Sequence, residues 1–178
     1  VSKAFGGLQA LSDITLSVNA GEIFGLIGPN GAGKTTLFNT LTGLYTTDSG
    51  TICLKDSRLH ETRLDNRPPH QVLKAGLART FQNIRLFAEM TALENVLVGR
   101  HARTRSGVVG AVLRLPATRR EEADSHERAL ALLQRVGIAQ HAQRLAKNLP
   151  YGDQRRLEIA RALATEPSLL ALDEPAAG

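Results

Sequence analysis

Tryptophan is absent from this chain, and cysteine and methionine occur once each. With Cys53 alone, no internal disulfide can form and no cysteine-based zinc site can be built. Only 4% of residues are aromatic, and they lack the interleaving with basic residues that single-strand nucleic-acid binders use for stacking. No stretch approaches the roughly 18 apolar residues of a membrane-spanning helix. The segment that comes nearest, 107–115, is short and contains Arg114. Sustained heptads are missing too, so no coiled-coil arm is expected. What is present is a 178-residue chain that is 42% hydrophobic, enough for one domain with a sizeable core. Its formal charge of +5 is spread among acids, as in Arg119-Arg120-Glu121-Glu122, the pattern of a solvated surface. The chain opens on Val1 and stops at Gly178, and both ends read as cuts in a longer polypeptide.

Residues 28–35 read Gly-Pro-Asn-Gly-Ala-Gly-Lys-Thr, a complete G-x-x-x-x-G-K-[ST] loop. The setting expected for such a loop is a strand before it and a helix after it. The apolar run Ile23-Phe24-Gly25-Leu26-Ile27 predicts the strand, and Thr36-Leu37-Phe38-Asn39-Thr40-Leu41 predicts the helix. Gly28, Gly31 and Gly33 allow the main chain to approach phosphate closely. The helix start adds its positive end. Lys34 is expected to reach the β- and γ-phosphates and Thr35 to offer its hydroxyl to Mg²⁺. The predicted nucleotide-binding stretch is Asn30, Gly31, Ala32, Gly33, Lys34, Thr35 and Thr36. Farther on, Leu169-Leu170-Ala171-Leu172 reads as a buried strand ending in Asp173-Glu174. Asp173 can hold the water shell of Mg²⁺, and Glu174 can activate the attacking water.

Between these motifs the pattern is mixed α/β. Strands are expected over 14–18, at 51–54 and over 77–81, with a short helix opened by Pro68-Pro69 and closed by Gly76. From 83 to about 148 the character is helical. Thr91 and Glu94 form a capping box. Residues 118–136 predict a long amphipathic helix with Ala129, Leu130, Leu132, Leu133 and Val136 on its buried side. Residues 100–116 are rich in glycine and arginine and match no single element. The fold class is α/β, a P-loop nucleotide-hydrolase core with an inserted helical subdomain. The core is 1–82 with 152–178, and the subdomain, including the signature segment described next, is 83–151.

Residues 149–163 read Leu-Pro-Tyr-Gly-Asp-Gln-Arg-Arg-Leu-Glu-Ile-Ala-Arg-Ala-Leu, which resembles the signature helix of ABC transporter ATPases. Gln82, after Leu77-Ala78-Arg79-Thr80-Phe81, resembles that family's glutamine loop, and 1–7 its adenine-stacking segment. The run 79–87, the insertion up to Glu122 and the ending Asp173-Glu174-Pro175-Ala176-Ala177-Gly178 are similar to the larger ATPase subunit of high-affinity branched-chain amino acid importers. The resemblance covers essentially the whole chain and implies ATP and Mg²⁺ as cofactors. It implies adenine stacking on Phe5 (by residue type alone also a packing aromatic), Gln82 contacting Mg²⁺ or the water, and Gly152 facing the γ-phosphate of a partner subunit. The implied catalytic set is Glu174, Gln82 and Lys34, and the implied metal set is Thr35, Asp173 and Gln82. A paralogous ATPase subunit, two membrane permeases and, indirectly, a substrate-binding protein are the implied partners, with no nucleic acid. The implied place is the cytoplasmic face of the inner membrane, peripherally bound. Amide- or urea-like solutes are the alternative cargo, and a nucleic-acid-associated ATPase is the alternative class.

The signature departs from the family's Leu-Ser-Gly-Gly-Gln. Pro150 stands for Ser, Tyr151 for Gly and Asp153 for Gln. Proline has neither a hydroxyl nor an amide hydrogen, so the nucleotide site using this signature is expected to be the weaker of two. The family's later histidine lies beyond Gly178, and residues 1–178 alone are expected to bind ATP poorly and hydrolyse it at background.

Overall fold

A computed structural model describes residues 1–56, 60–101 and 116–174, with only the backbone described for 116–120. The chain divides into two compact units, Val1–Leu77 and Ala78–Gly178.

In the first unit, β1 (Lys3–Phe5) and β2 (Leu8–Leu11) form an antiparallel hairpin with Phe5 opposite Leu8 and an irregularity between Lys3 and Ala4. Helix α1 spans Lys34–Leu41. β3 (Cys53–Lys55) pairs antiparallel with β4 (Glu61–Arg63), Leu54 opposite Thr62. Helix α2 (Pro69–Ala75) has proline in its first turn and ends at the left-handed Gly76, as its sequence predicts. Leu11, Leu37, Ile52, Leu64 and Val72 are buried; each buried Leu or Val stabilises by about 1.5–3 kcal/mol.

Two expected strands do not form. Residues 12–29 contain no strand, so neither the 14–18 alternation nor the Ile23–Ile27 run enters a ladder. Ile23 is fully exposed and Ile27 94% exposed. The physical reason is non-local. A buried parallel strand needs neighbours on both edges, and among the described residues none pairs with this run. The strand expected at 51–54 forms two residues later, and that expected at 77–81 is shorter.

In the second unit, β5 (Leu77–Arg79) pairs with β6 (Leu169–Ala171). Helices α3 (Ala92–His101), α4 (Pro116–Arg135) and α5 (Tyr151–Leu163), with short 3₁₀ turns at Ala139–His141 and Ala146–Asn148, surround one core. That core contains Ala92, Leu93, Val96, Ala129, Leu133, Ile138, Leu149, Leu157, Ala160 and Ala164. The capping box at α3 is present: Thr91 Oγ1 accepts from the Glu94 amide at 3.1 Å, and Glu94 Oε2 accepts from the Thr91 amide at 2.7 Å. Backbone crossing sets residue size at Gly99, where a Cβ would lie 2.4 Å from the Arg161 carbonyl oxygen on α5. Along α4, Ala129 and Leu133 are fully buried, and Leu132, with Val136 just past the helix end, packs partly against the core. Leu130 departs from expectation and is exposed, because its turn position rotates it off the face that Ala129 and Leu133 define. The glycine- and arginine-rich stretch lies mostly outside the described residues, as do Pro175, Ala176, Ala177 and Gly178. Among the described residues no helix is long and apolar enough to cross a membrane.

Candidate functional site

The phosphate loop turns on two left-handed glycines, Gly31 (φ +84°) and Gly33 (φ +86°), with the Ala32 amide donating to the Pro29 carbonyl at 3.2 Å. Gly33 caps α1 with no side-chain acceptor on the first-turn amides. Those amides and the positive helix end are the groups an anion takes. Lys34 Nζ donates to the carbonyls of Gly28 (2.5 Å) and Pro29 (2.8 Å), so its ammonium is held over the loop it serves. Gly31 and Thr35 are exposed, as are Asn30 and Ala32; Thr36 is half-buried. At Gly33 a Cβ would fall 2.6 Å from the Ala10 carbonyl oxygen on β2. Gly33→Ala is therefore expected to cost about 1–3 kcal/mol from left-handed strain, with the overlap adding to it. An unchanged melting temperature of the full-length chain would contradict that.

On the hairpin, Phe5 is 43% exposed and so is not a core residue. Its ring meets Tyr45 edge to face at 5.2 Å between centroids and 75° between planes. Lys3 Nζ lies 5.4 Å from the Phe5 centroid and donates to Asp48 Oδ1 at 2.7 Å, while Asp48 Oδ2 accepts from the Ala4 amide at 2.7 Å. The bond from Lys3, followed by that from the Ala4 amide, holds the Asp48 carboxyl below its usual range. Acidification through that lowered range removes the tie. Tyr45 was not marked by sequence, since 40 residues separate the two rings and nothing local pairs them.

In the second unit, Gln82 is exposed beyond β5, and its carbonyl accepts from Arg155 of α5. Gly152 lies in the first turn of α5 with open space where a Cβ would be. The fold of this chain does not require glycine there, so any such requirement comes from something approaching from outside. Pro150 stands at the N-cap, one position earlier than a first-turn proline. Asp153 pairs with Arg156 at 3.4 Å, and its other carboxylate oxygen lies 3.6 Å from His141 Nε2.

Asp173 follows β6, is 9% exposed, and receives the Arg79 guanidinium at 2.7 Å; the Asp173 amide donates to Thr80 Oγ1 at 3.2 Å. Sequence reasoning gave Asp173 to Mg²⁺ and missed Arg79. The missed signal is an arginine inside a short buried strand, which demands an anion nearby. Glu174 is exposed and adopts φ +49°, an uncommon conformation for a non-glycine residue that concentrates at functional sites. Among the described residues no cluster of three His, Cys, Asp or Glu forms a protein-only metal cage. Mg²⁺ takes one or two protein oxygens and completes its shell with substrate phosphates and water, so it requires no such cluster. Each unit holds an oxygen donor of the kind Mg²⁺ prefers, the exposed Thr35 hydroxyl in the first and the Asp173 carboxylate, here paired with Arg79, in the second.

Loop, signature helix and terminal carboxylates define an ATP-binding cassette, a P-loop α/β fold, and the chain belongs to the ABC transporter family, whose model matches residues 11–177. It is 50% identical over 174 residues to the high-affinity branched-chain amino acid transport ATP-binding protein LivG of Salmonella typhimurium, covering 98% of this chain and 66% of that protein. It is 46% identical over 174 residues to the corresponding protein BraF of Pseudomonas aeruginosa, with the same coverage. The chain thus spans about two thirds of the length of these curated relatives. A crystal structure of the ADP conformation of an ATP-binding cassette of an ABC transporter matches with a TM-score of 0.80 at 32% identity, over 100% of this chain and 67% of that one.

Proposed function

We propose that this chain is the catalytic part of an ATP-hydrolysing subunit that powers import of branched-chain amino acids through membrane permeases. The observation that carries this reading is the 50% identity to a branched-chain amino acid transport ATP-binding protein across nearly the whole chain, with every residue of the phosphate loop intact.

In the chemistry we infer, Phe5 stacks on adenine, and residues 30–36 with Gly28 cradle the phosphates. Lys34 leaves its two loop carbonyls for the β- and γ-phosphate oxygens. Thr35, Asp173 and Gln82 are the residues that would hold Mg²⁺. When bound, that ion supplies charge neutralisation at the β- and γ-oxygens. Water attacks the γ-phosphorus, the bond to the β-phosphate oxygen breaks, and Glu174 orients the water and takes its proton. Gly152 meets the γ-phosphate bound by a paralogous subunit, so two subunits share two sites. We assign 1–82 and 152–178 to the nucleotide core and 83–151 to the helical subdomain. The permeases dock on the subdomain at 83–99, placing the subunit peripherally on the cytoplasmic face of the membrane and indirectly in contact with a substrate-binding protein.

The two nucleotide sites are unequal in this reading. Pro150 gives the signature no hydroxyl and no amide hydrogen, and loss of one oxyanion-type donor costs about 10²–10³ in rate. Pro150→Ser is expected to raise ATPase activity of the assembled complex by acting on the site that uses this signature. No change would show that the asymmetry is without consequence.

The test is co-purification of the full-length subunit with permeases and a second ATPase, then uptake of labelled leucine, isoleucine and valine by the assembled complex. Transport of amides or urea in their place would move the cargo to the alternative class. RNA or DNA binding that falls steeply with salt, without uptake, would replace transport altogether.

A further inference from the structure

We propose that Arg155 and Glu158 are positioning residues for Gln82, a brace from α5 that fixes the main chain at Phe81 and Gln82. The proposal rests on the reading of Gln82 given above.

Arginine presents five donors in a rigid fork, and here the fork spans two successive carbonyls. Arg155 Nη1 donates to the Phe81 carbonyl at 2.7 Å and Nη2 to the Gln82 carbonyl at 2.5 Å. Glu158 completes the grip from the same face of the helix, three residues on. Its Oε1 accepts from the Phe81 amide at 3.3 Å and, at the limit of bonding, from the Arg85 amide at 3.5 Å. Both main-chain polar groups of Phe81 are therefore held by side chains of one helix. The two charges also pair, Arg155 Nη1 to Glu158 Oε2 at 3.4 Å.

Burial makes this more than a surface contact. Arg155 is 9% exposed and Glu158 2%. A buried ion pair gains little over apolar packing unless its remaining donors and acceptors are also used, and here they are used on the loop of Gln82. The brace grips main chain only, so it sets where Gln82 sits while its side chain stays exposed. Arg155 also reaches the start of the signature helix. Its Nε donates to Tyr151 Oη at 3.2 Å and its guanidinium lies 5.5 Å from the Tyr151 ring centroid. One side chain thus touches both the loop carrying Gln82 and the turn carrying Gly152.

The experiment uses the full-length subunit assembled with its partner ATPase and permeases, measuring kcat and KM for ATP. Arg155→Lys keeps the charge beside Glu158 but cannot span two carbonyls. It is expected to lower kcat by about 10- to 100-fold, the scale of a small misplacement of a catalytic group, with KM for ATP within about twofold of the parent value. In a Gln82→Ala background the same change is expected to have no further effect on kcat, because residues acting as a unit are not additive. Glu158→Gln is expected to lower kcat with KM unchanged as well, which keeps the idea testable should the lysine variant fail to assemble. A normal kcat in both variants overturns the brace, as does a loss that multiplies that of Gln82→Ala. If Gln82→Ala itself keeps full activity, the reading of Gln82 fails first and the brace falls with it.

Discussion

Glu174→Gln in the full-length, assembled subunit is expected to leave ATP binding intact and to lower turnover by about 10²–10⁴, the usual contribution of a positioned general base. The substitution is nearly isosteric, so it removes the capacity to take a proton and little else. Position supports the assignment. Glu174 directly follows Asp173, whose buried carboxylate is anchored by Arg79 and whose amide is anchored by Thr80, and Glu174 itself adopts φ +49°. Asp173 is held on both its side chain and its amide, so the residue after it starts from a fixed point. Steady-state phosphate release and equilibrium ATP binding, measured on the same preparation, separate the two effects. A loss of binding equal to the loss of turnover would make Glu174 a structural residue.

Lys34→Ala is expected to weaken ATP binding by about 10²-fold or more, since hydrogen bonds to charged groups contribute roughly 1.5–3 kcal/mol each and Lys34 is assigned two phosphate oxygens. In the structure its ammonium bonds the Gly28 and Pro29 carbonyls of a largely exposed loop. Losing those bonds relaxes the loop without opening the core, because Leu37 and Leu64 are buried elsewhere in the unit. Titration with a fluorescent ATP analogue, beside a thermal melt, reads affinity and fold separately. Tight binding by the alanine variant would remove the loop from the nucleotide site.

What sequence made legible here was local. The phosphate loop, the Thr91–Glu94 capping box and the Pro69–Gly76 helix each lie within a few residues, so residue type and spacing specify them. The unformed strands over 14–18 and Ile23–Ile27 mark the limit of that reasoning. Their alternation and apolarity are real, but a ladder requires partners that no local window contains. The same distance hid the site's supports. Arg79 meets Asp173 across 94 residues, Arg155 meets Phe81 across 74, and Tyr45 meets Phe5 across 40. Leu130 failed for a smaller reason, a turn of α4 only slightly off the buried stripe. The motifs that nominate Lys34, Gln82 and Glu174 are local in the chain, whereas the side chains that brace their neighbourhoods come from far along it.

The account stands on Glu174 cleaving an ATP molecule that the Lys34 loop binds. The most direct measurement is the identity of the nucleotide retained by the assembled Glu174→Gln complex after incubation with ATP and Mg²⁺. The account predicts retained ATP, stoichiometric with the loops that bind it and absent when Lys34 is also replaced by alanine. ADP formed at the parent rate, or ATP retained without Lys34, would contradict it.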